Sequence, residues 1–339
     1  MRSETLKRLF RSIKREPTQD LIKIAQVILD DERKKGHDKL AHELSNILKE
    51  TSATQATSER YVSKSGTLNT LSTSRLTSLP LSKRDQQPLL MEVKRENLRH
   101  EMILPNEIEQ RFQRVIKEYV ASDRLAHYGL KPRQKILLYG PPGCGKSMGA
   151  ERLAWDIGLP FYKVRFESLL SSFLGESGSN LRKVFDVAQN TPCVLLLDEC
   201  DFIAKSRNIG QDVGEMSRMV NMLLYLLEEY NAQGLLVATT NLEETLDKAI
   251  FRRFDEVLEV PKPGKGEVHD LLLTSLSSIN VDKGLNFNKI VDKMDGFSAA
   301  QVVKVARDAA KACVVAGDNT IRMNHLESAL SEVINRSTY

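Results

Sequence analysis

The chain has 339 residues, 41% hydrophobic and 28% charged, a balance typical of globular proteins and a length that suggests about two domains. A formal net charge of +4 is too small for this length to imply nucleic acid, and no apolar run approaches the roughly 18 residues a membrane-spanning helix needs. Cys144, Cys193, Cys200 and Cys313 have neither metal-ligand nor C-x-x-C spacing, which fits thiols used as small buried groups in a reducing compartment, so a cytoplasmic location is expected.

In chain order, residues 1–50 read as two or three helices. Leu21, Ile24, Ala25, Ile28 and Leu29 recur at helical spacing, as do Leu40, Leu44, Ile47 and Leu48, with Gly36 as the turn between them. The basic opening stretch is interrupted by Glu4 and lacks a cleavage-like segment, so it reads as part of this module rather than as a targeting peptide. A module this small needs a partner surface, and a recruiting role is expected. Across 51–88 the composition shifts to Ser and Thr, which cannot offset ordering entropy, and a flexible linker is expected.

Residues 89–261 carry the β-rich runs KILLYG, FYKVRF, CVLLLDE, GLLVATTN and EVLEV, separated by segments of helical period. Near-continuous apolar strands alternating with helices predict a parallel sheet covered on both faces. Beyond Pro261 and Pro263 the β pattern stops. Residues 262–339 read as a helical subdomain, with Leu271, Leu272 and Leu276 on one face and Val302, Val303, Ala306 and Ala310 on another.

The run from Lys135 to Ser147, KILLYGPPGCGKS, breaks a strand into G-x-x-x-x-G-K-[ST], a phosphate-binding loop. Gly140, Gly143 and Gly145 let backbone N–H groups turn around an anion, Lys146 reaches the β- and γ-phosphates, and Ser147 ligates Mg²⁺. Pro141, Pro142, Cys144 and Met148 complete the expected nucleotide-binding stretch, and the helix starting at Gly145 adds its N-terminal dipole. About fifty residues later Val194–Leu197 lead into Asp198 and Glu199, two carboxylates delivered to the end of a buried strand. Asp198 is expected to hold Mg²⁺ and Glu199 to deprotonate the attacking water, the alternative being an acidic pair that caps the next helix. Asn241, after the next strand, is placed to touch the γ-phosphate and that water. Arg252 and Arg253 precede the last strand, where phosphoryl transfer needs a cation that a neighbouring subunit can supply; a solvated basic pair is the plain alternative.

From Leu104 to Ser298 these motifs in this order resemble the AAA+ ATPases, and among them the AAA-type unfolding and disassembly machines. LLYGPPGCGKS looks like Walker A, LLLDECD like Walker B, ATTN like sensor 1, and Ala249 to Phe254 like the arginine-finger region. GFSAAQV at Gly296 resembles the lid segment GxSGADI, with Ala299 for the usual glycine and Gln301 for Asp, and Cys144 stands where threonine is more usual. The resemblance implies a five-stranded parallel sheet in the order 5-1-4-3-2 between helices, an all-α lid, ATP and Mg²⁺ as cofactors, and ATP hydrolysis. It implies a homo-oligomeric ring, hexameric in such families, in which Arg252 and Arg253 reach the neighbour's ATP. It also implies a pore loop at Phe173, Leu174 and Gly175, whose aromatic ring grips an extended polypeptide, a Phe-Leu pair that caps the core being the plain alternative; Lys205 to Gly210 reads equally as a second pore segment or as a solvated charged loop. The expected function is threading or remodelling of protein substrates. The alternative is ATP-gated control of a separate effector such as a protease or nuclease. Nucleic acid is not an expected partner, since tracking phosphates needs dense Lys and Arg.

Overall fold

The computed structural model describes residues 79–82, 86–170, 177–200, 213–241, 251–282 and 284–337. The chain divides into the units Met1–Ser72 and Thr73–Tyr339, and every described residue belongs to the second. The expected N-terminal helices, residues 51–78 of the expected linker, and both expected pore segments lie outside the described residues.

The larger part of this unit is a six-stranded sheet built from β1 (Leu90–Val93), β2 (Lys135–Tyr139), β3 (Phe161–Val164), β4 (Val194–Leu197), β5 (Leu235–Thr240) and β6 (Glu256–Glu259). Its order is β1-β3-β4-β5-β2-β6. Strands β2 to β6 are mutually parallel where they pair and reproduce the expected order 5-1-4-3-2. The sheet is nevertheless six-stranded, because β1 pairs antiparallel with β3 from Leu90↔Val164 to Val93↔Phe161 and covers an edge that would otherwise be open.

Alternation along each strand explains why β4 and β5 are buried throughout. Leu137, Leu195, Leu197, Leu236 and Ala238 face a core shared with α5 (Ser177–Asn190) and α6 (Val213–Glu229), through Phe185 and Leu227. Ile136, Leu138, Leu196, Val237 and Leu258 face the opposite core, against Phe112 of α1 (Asn106–Val120) and Leu153 of α3 (Lys146–Ile157). With a period of two and a core on each side, β4 is apolar at every position and β5 is apolar up to the threonines at its C-terminal end. Each such fully buried side chain contributes about 1.5–3 kcal/mol. Helix α3 lies close on the sheet at Gly149, where a Cβ would approach Leu138 and Phe112 to 3.1 Å. The short helices α2 (Ser122–His127) and α4 (Phe166–Leu170) follow α1 and β3.

After β6 the chain forms α7 (Lys265–Ser275), β7 (Asn280–Val281), α8 (Phe287–Lys293), α9 (Ala299–Val315), β8 (Thr320–Ile321) and α10 (Met323–Ser337). Val268, Leu272, Ile290, Val302, Ala306, Cys313 and Leu330 form its core. The region is helical as expected, except that β7 and β8 add a two-residue parallel pair, too short to leave a period in the sequence. Among the described residues, no helix is long and apolar enough to cross a membrane.

Candidate nucleotide site

Because β2, β4 and β5 are parallel and in register, with Leu197↔Ala238 and Tyr139↔Thr240, their C-terminal ends open on the same side of the sheet. Parallel sheets present ligands there. The loop after β2 bends at Gly140 (φ 137°), Gly143 (φ 74°) and Gly145 (φ 97°). Gly140 tolerates no side chain, since a Cβ would sit 2.4 Å from the Val260 carbonyl oxygen. Gly145 then caps α3 from the left-handed region, where only glycine sits without strain. Pro141, Pro142 and Cys144 lie within the loop, and Met148 within the first turn of α3.

Lys146 is buried, and its ammonium donates to the carbonyls of Gly140 and Pro141, each at 2.8 Å. Burial pushes the Cys144 thiol up, against a smaller opposing pull from Lys146, so the thiol stays protonated in the ordinary range. Ser147 Oγ donates to Asp198 Oδ1 at 2.7 Å, and Thr239 Oγ1 donates to the same oxygen at 2.7 Å. The other carboxylate oxygen, Oδ2, accepts from Lys163 Nζ at 2.6 Å. Burial by itself would raise Asp198, but the hydrogen bonds from Lys163, Thr239 and Ser147 outweigh it and hold the carboxyl below its usual range.

Glu199 adopts φ 55°, a strained value for a non-glycine residue. Two bonds to one residue keep it there: the Glu199 N–H donates to Thr239 Oγ1 and the Cys200 N–H to the Thr239 carbonyl, both at 2.8 Å. The Glu199 side chain is thereby exposed at the C-terminal end of β4, and the half-buried Asn241 follows the adjacent strand β5.

The helical region docks on this loop. Ser298 caps α9 and forms a reciprocal capping box with Gln301, so the glutamine found in place of the acid at this position serves the helix start. The Ala300 N–H donates to the Gly143 carbonyl at 2.9 Å. A Cβ on Gly143 would lie 3.0 Å from Ser298 Oγ.

The two arginines diverge. Arg253 Nη2 is 2.6 Å from Glu228 Oε1 of α6, whereas Arg252 is exposed with no ion-pair partner among the described residues. The segment is anchored just beyond them. Asp255 accepts the Gln134 and Lys135 N–H groups at 2.9 Å, and the buried Glu256 pairs with Arg111 and Arg133. Phe173, Leu174 and Gly175 lie outside the described residues.

Three participants escaped the sequence reading. Met102 packs on the loop, its Cε 3.1 Å from a Cβ built on Gly145. Thr239 and Lys163 both hold Asp198. Lys163 did leave a signal, a single charge in a strand otherwise buried, which requires a partner. The hydroxyl and carboxylate at Ser147 and Asp198 are the hard oxygen donors that Mg²⁺ takes alongside substrate phosphates, and the three left-handed glycines form a backbone cradle, so the residues fit a magnesium nucleotide.

Comparison with known proteins agrees with this geometry. Residues 136–262 match the family described as "ATPase family associated with various cellular activities (AAA)". Over 335 residues the chain is 32% identical to an uncharacterized AAA family ATPase, y4kL, of Sinorhizobium fredii (strain NBRC 101917 / NGR234), covering 99% of this chain and 96% of that protein.

Proposed function

This chain belongs to the AAA family of ATPases, and from this we propose that it hydrolyses ATP within a homo-oligomeric ring, six-membered as the motif resemblance implies, to remodel protein substrates in the cytoplasm. The observation that carries the reading is the meeting of Ser147, Asp198 and Thr239 beside the glycine loop, with Glu199 fixed next to them.

In this reading the N–H groups from Gly140 to Met148 cradle the phosphates, and the Lys146 ammonium turns from the Gly140 and Pro141 carbonyls to the β- and γ-oxygens. Ser147 and Asp198 hold Mg²⁺, which when bound neutralises charge on the phosphoryl oxygens. Glu199 takes a proton from the attacking water while Asn241 orients it; the water oxygen bonds to the γ-phosphorus, and the bond to the β–γ bridging oxygen breaks to leave ADP and phosphate. Arg252 provides the cation for the neighbour's ATP, and Arg253, paired with Glu228, holds the segment that presents it. Residues 1–50 recruit, 51–88 tether, 89–261 hydrolyse and 262–339 act as the lid. Phe173, Leu174 and Gly175 grip the polypeptide in the pore.

Glu199→Gln tests this reading. The substitution keeps shape and removes the base, so ATP binding should persist, turnover should drop by about 10²–10⁴-fold, and protein substrate should stay bound in ATP. Turnover near the wild-type rate would remove Glu199 as the base. Loss of turnover with stable capture of one folded effector, and no remodelling of it, would favour nucleotide-gated control over threading.

A further inference from the structure

Lys163 belongs to neither the phosphate loop nor the acidic strand end, yet it makes a direct contact with the carboxylate on which the metal reading rests. Its place follows from the sheet. Lys163 on β3 is in register with Leu196 on β4, and with a period of two Asp198 projects to the same face as Leu196. The lysine therefore rises beside the aspartate, with Nζ 2.6 Å from Oδ2. The carboxylate is divided. Oδ1 faces Ser147 and Thr239, and Oδ2 faces the ammonium.

We propose that Lys163 is a tethered counter-cation for Asp198 that competes with Mg²⁺, and so sets how strongly nucleotide binding depends on the metal. The proposal rests on Ser147 and Asp198 holding Mg²⁺. A positive charge in contact with one carboxylate oxygen weakens the field that a divalent ion meets at the other. The lysine side chain is 38% exposed against 11% for Asp198, so the ammonium has solvent to turn into, whereas the carboxylate does not. Without metal, Lys163 compensates a mostly buried charge next to incoming phosphates. With metal, it is surplus. Lys163 is thus a positioning residue whose removal changes the two states in opposite directions.

The test is the ratio of mant-ADP dissociation constants in excess EDTA and in excess Mg²⁺, measured by fluorescence on the full-length protein. Removing the ammonium leaves Asp198 to repel the phosphates when metal is chelated and to bind metal more strongly when it is present. In Lys163→Ala and in Lys163→Met, which keeps the aliphatic stem, the ratio should rise on the order of fivefold or more, the lower range of measured site-to-site couplings. Lys163→Arg should keep the wild-type ratio, and adding Lys163→Ala to Asp198→Asn should change nothing further. Equal weakening in EDTA and Mg²⁺, as a structural or phosphate-gripping lysine would give, overturns the proposal alone. An Asp198→Asn protein with the wild-type ratio removes the metal reading and the proposal with it.

Discussion

Thr239 shows how much a single hydroxyl can organise. It donates to Asp198 and accepts from the Glu199 N–H, so the metal-side carboxylate and the backbone of the proposed base are held by the same oxygen. Thr239→Val keeps the shape and takes the acceptor from the Glu199 N–H, a cost of about 1–3 kcal/mol for a group left unsatisfied, while Asp198 loses one of three hydrogen bonds and keeps those from Ser147 and Lys163. The variant should melt several degrees lower, and ATP turnover should fall more than ATP affinity, because the strained turn at Glu199 loses its tie. Thr239→Ser should recover most of both. Thermal melts and steady-state kinetics of the three proteins check this; a Thr239→Val enzyme with unchanged turnover would leave the hydroxyl without a role in placing Glu199. The pH dependence follows from Asp198 in the same way. Its carboxyl lies below the usual range when folded, so its contribution to stability is complete above the unfolded pKa and disappears as pH falls through the folded one.

Helix α9 carries its start signal openly, since Ser298 and Gln301 have the spacing of a capping box, yet nothing local in that signal says that the helix start will rest on Gly143. That contact is long-range and depends on the docking of two subdomains. The sheet divides likewise. β2, β4 and β5 were legible as apolar runs fed by two cores, and β3 and β6 because apolar residues still predominate or sit centrally in them, whereas β1 has only Leu90 fully buried, and four residues with one buried position do not distinguish a strand from a loop. The phosphate loop and acidic pair were legible because their chemistry is contiguous in sequence; Lys163 and Thr239 were not, because only the register of β3, β4 and β5 brings them to Asp198. At this scale, Ser298→Ala should cost about 1 kcal/mol, as loss of a helix cap does, lowering the melting temperature by about 2–4 °C. It should also weaken ATP binding, since the frayed first turn contains the Ala300 N–H that holds the Gly143 carbonyl. Gln301→Ala, which keeps the Ser298 hydroxyl, should do less of each. Calorimetry with nucleotide titration compares the two, and an undiminished affinity in Ser298→Ala would separate helix capping from the nucleotide site.

For the whole molecule the question is which arginine would serve a neighbour in the proposed ring. Arg253 is occupied by Glu228 on its own chain, and Asp255 and Glu256 fasten the following residues to β2, Arg111 and Arg133. This leaves Arg252 exposed a few residues before an anchored strand, an arrangement that suits the proposed role of a cation offered to another subunit. If subunits join head to tail, each ATP needs the Lys146 of one chain and the Arg252 of the next. Arg252→Ala should then bind ATP normally and lose most of its turnover, commonly by 10³-fold or more for such a cation, a range of about 10³–10⁵. Arg253→Ala loses a pair whose acid is 58% exposed, so its stability should change by only about 0–1 kcal/mol, with a smaller effect on rate. Mixing makes the assignment specific. An Arg252→Ala subunit has a working phosphate site and no cation to offer; a Lys146→Ala subunit has the reverse defect. Where the second presents its Arg252 to the first, a complete site forms, so a mixture of the two inactive proteins should regain activity that rises with total concentration. Two mutants that stay inactive together, while wild-type turnover per chain is independent of concentration, would show that the arginine acts within its own chain and that hydrolysis needs no ring.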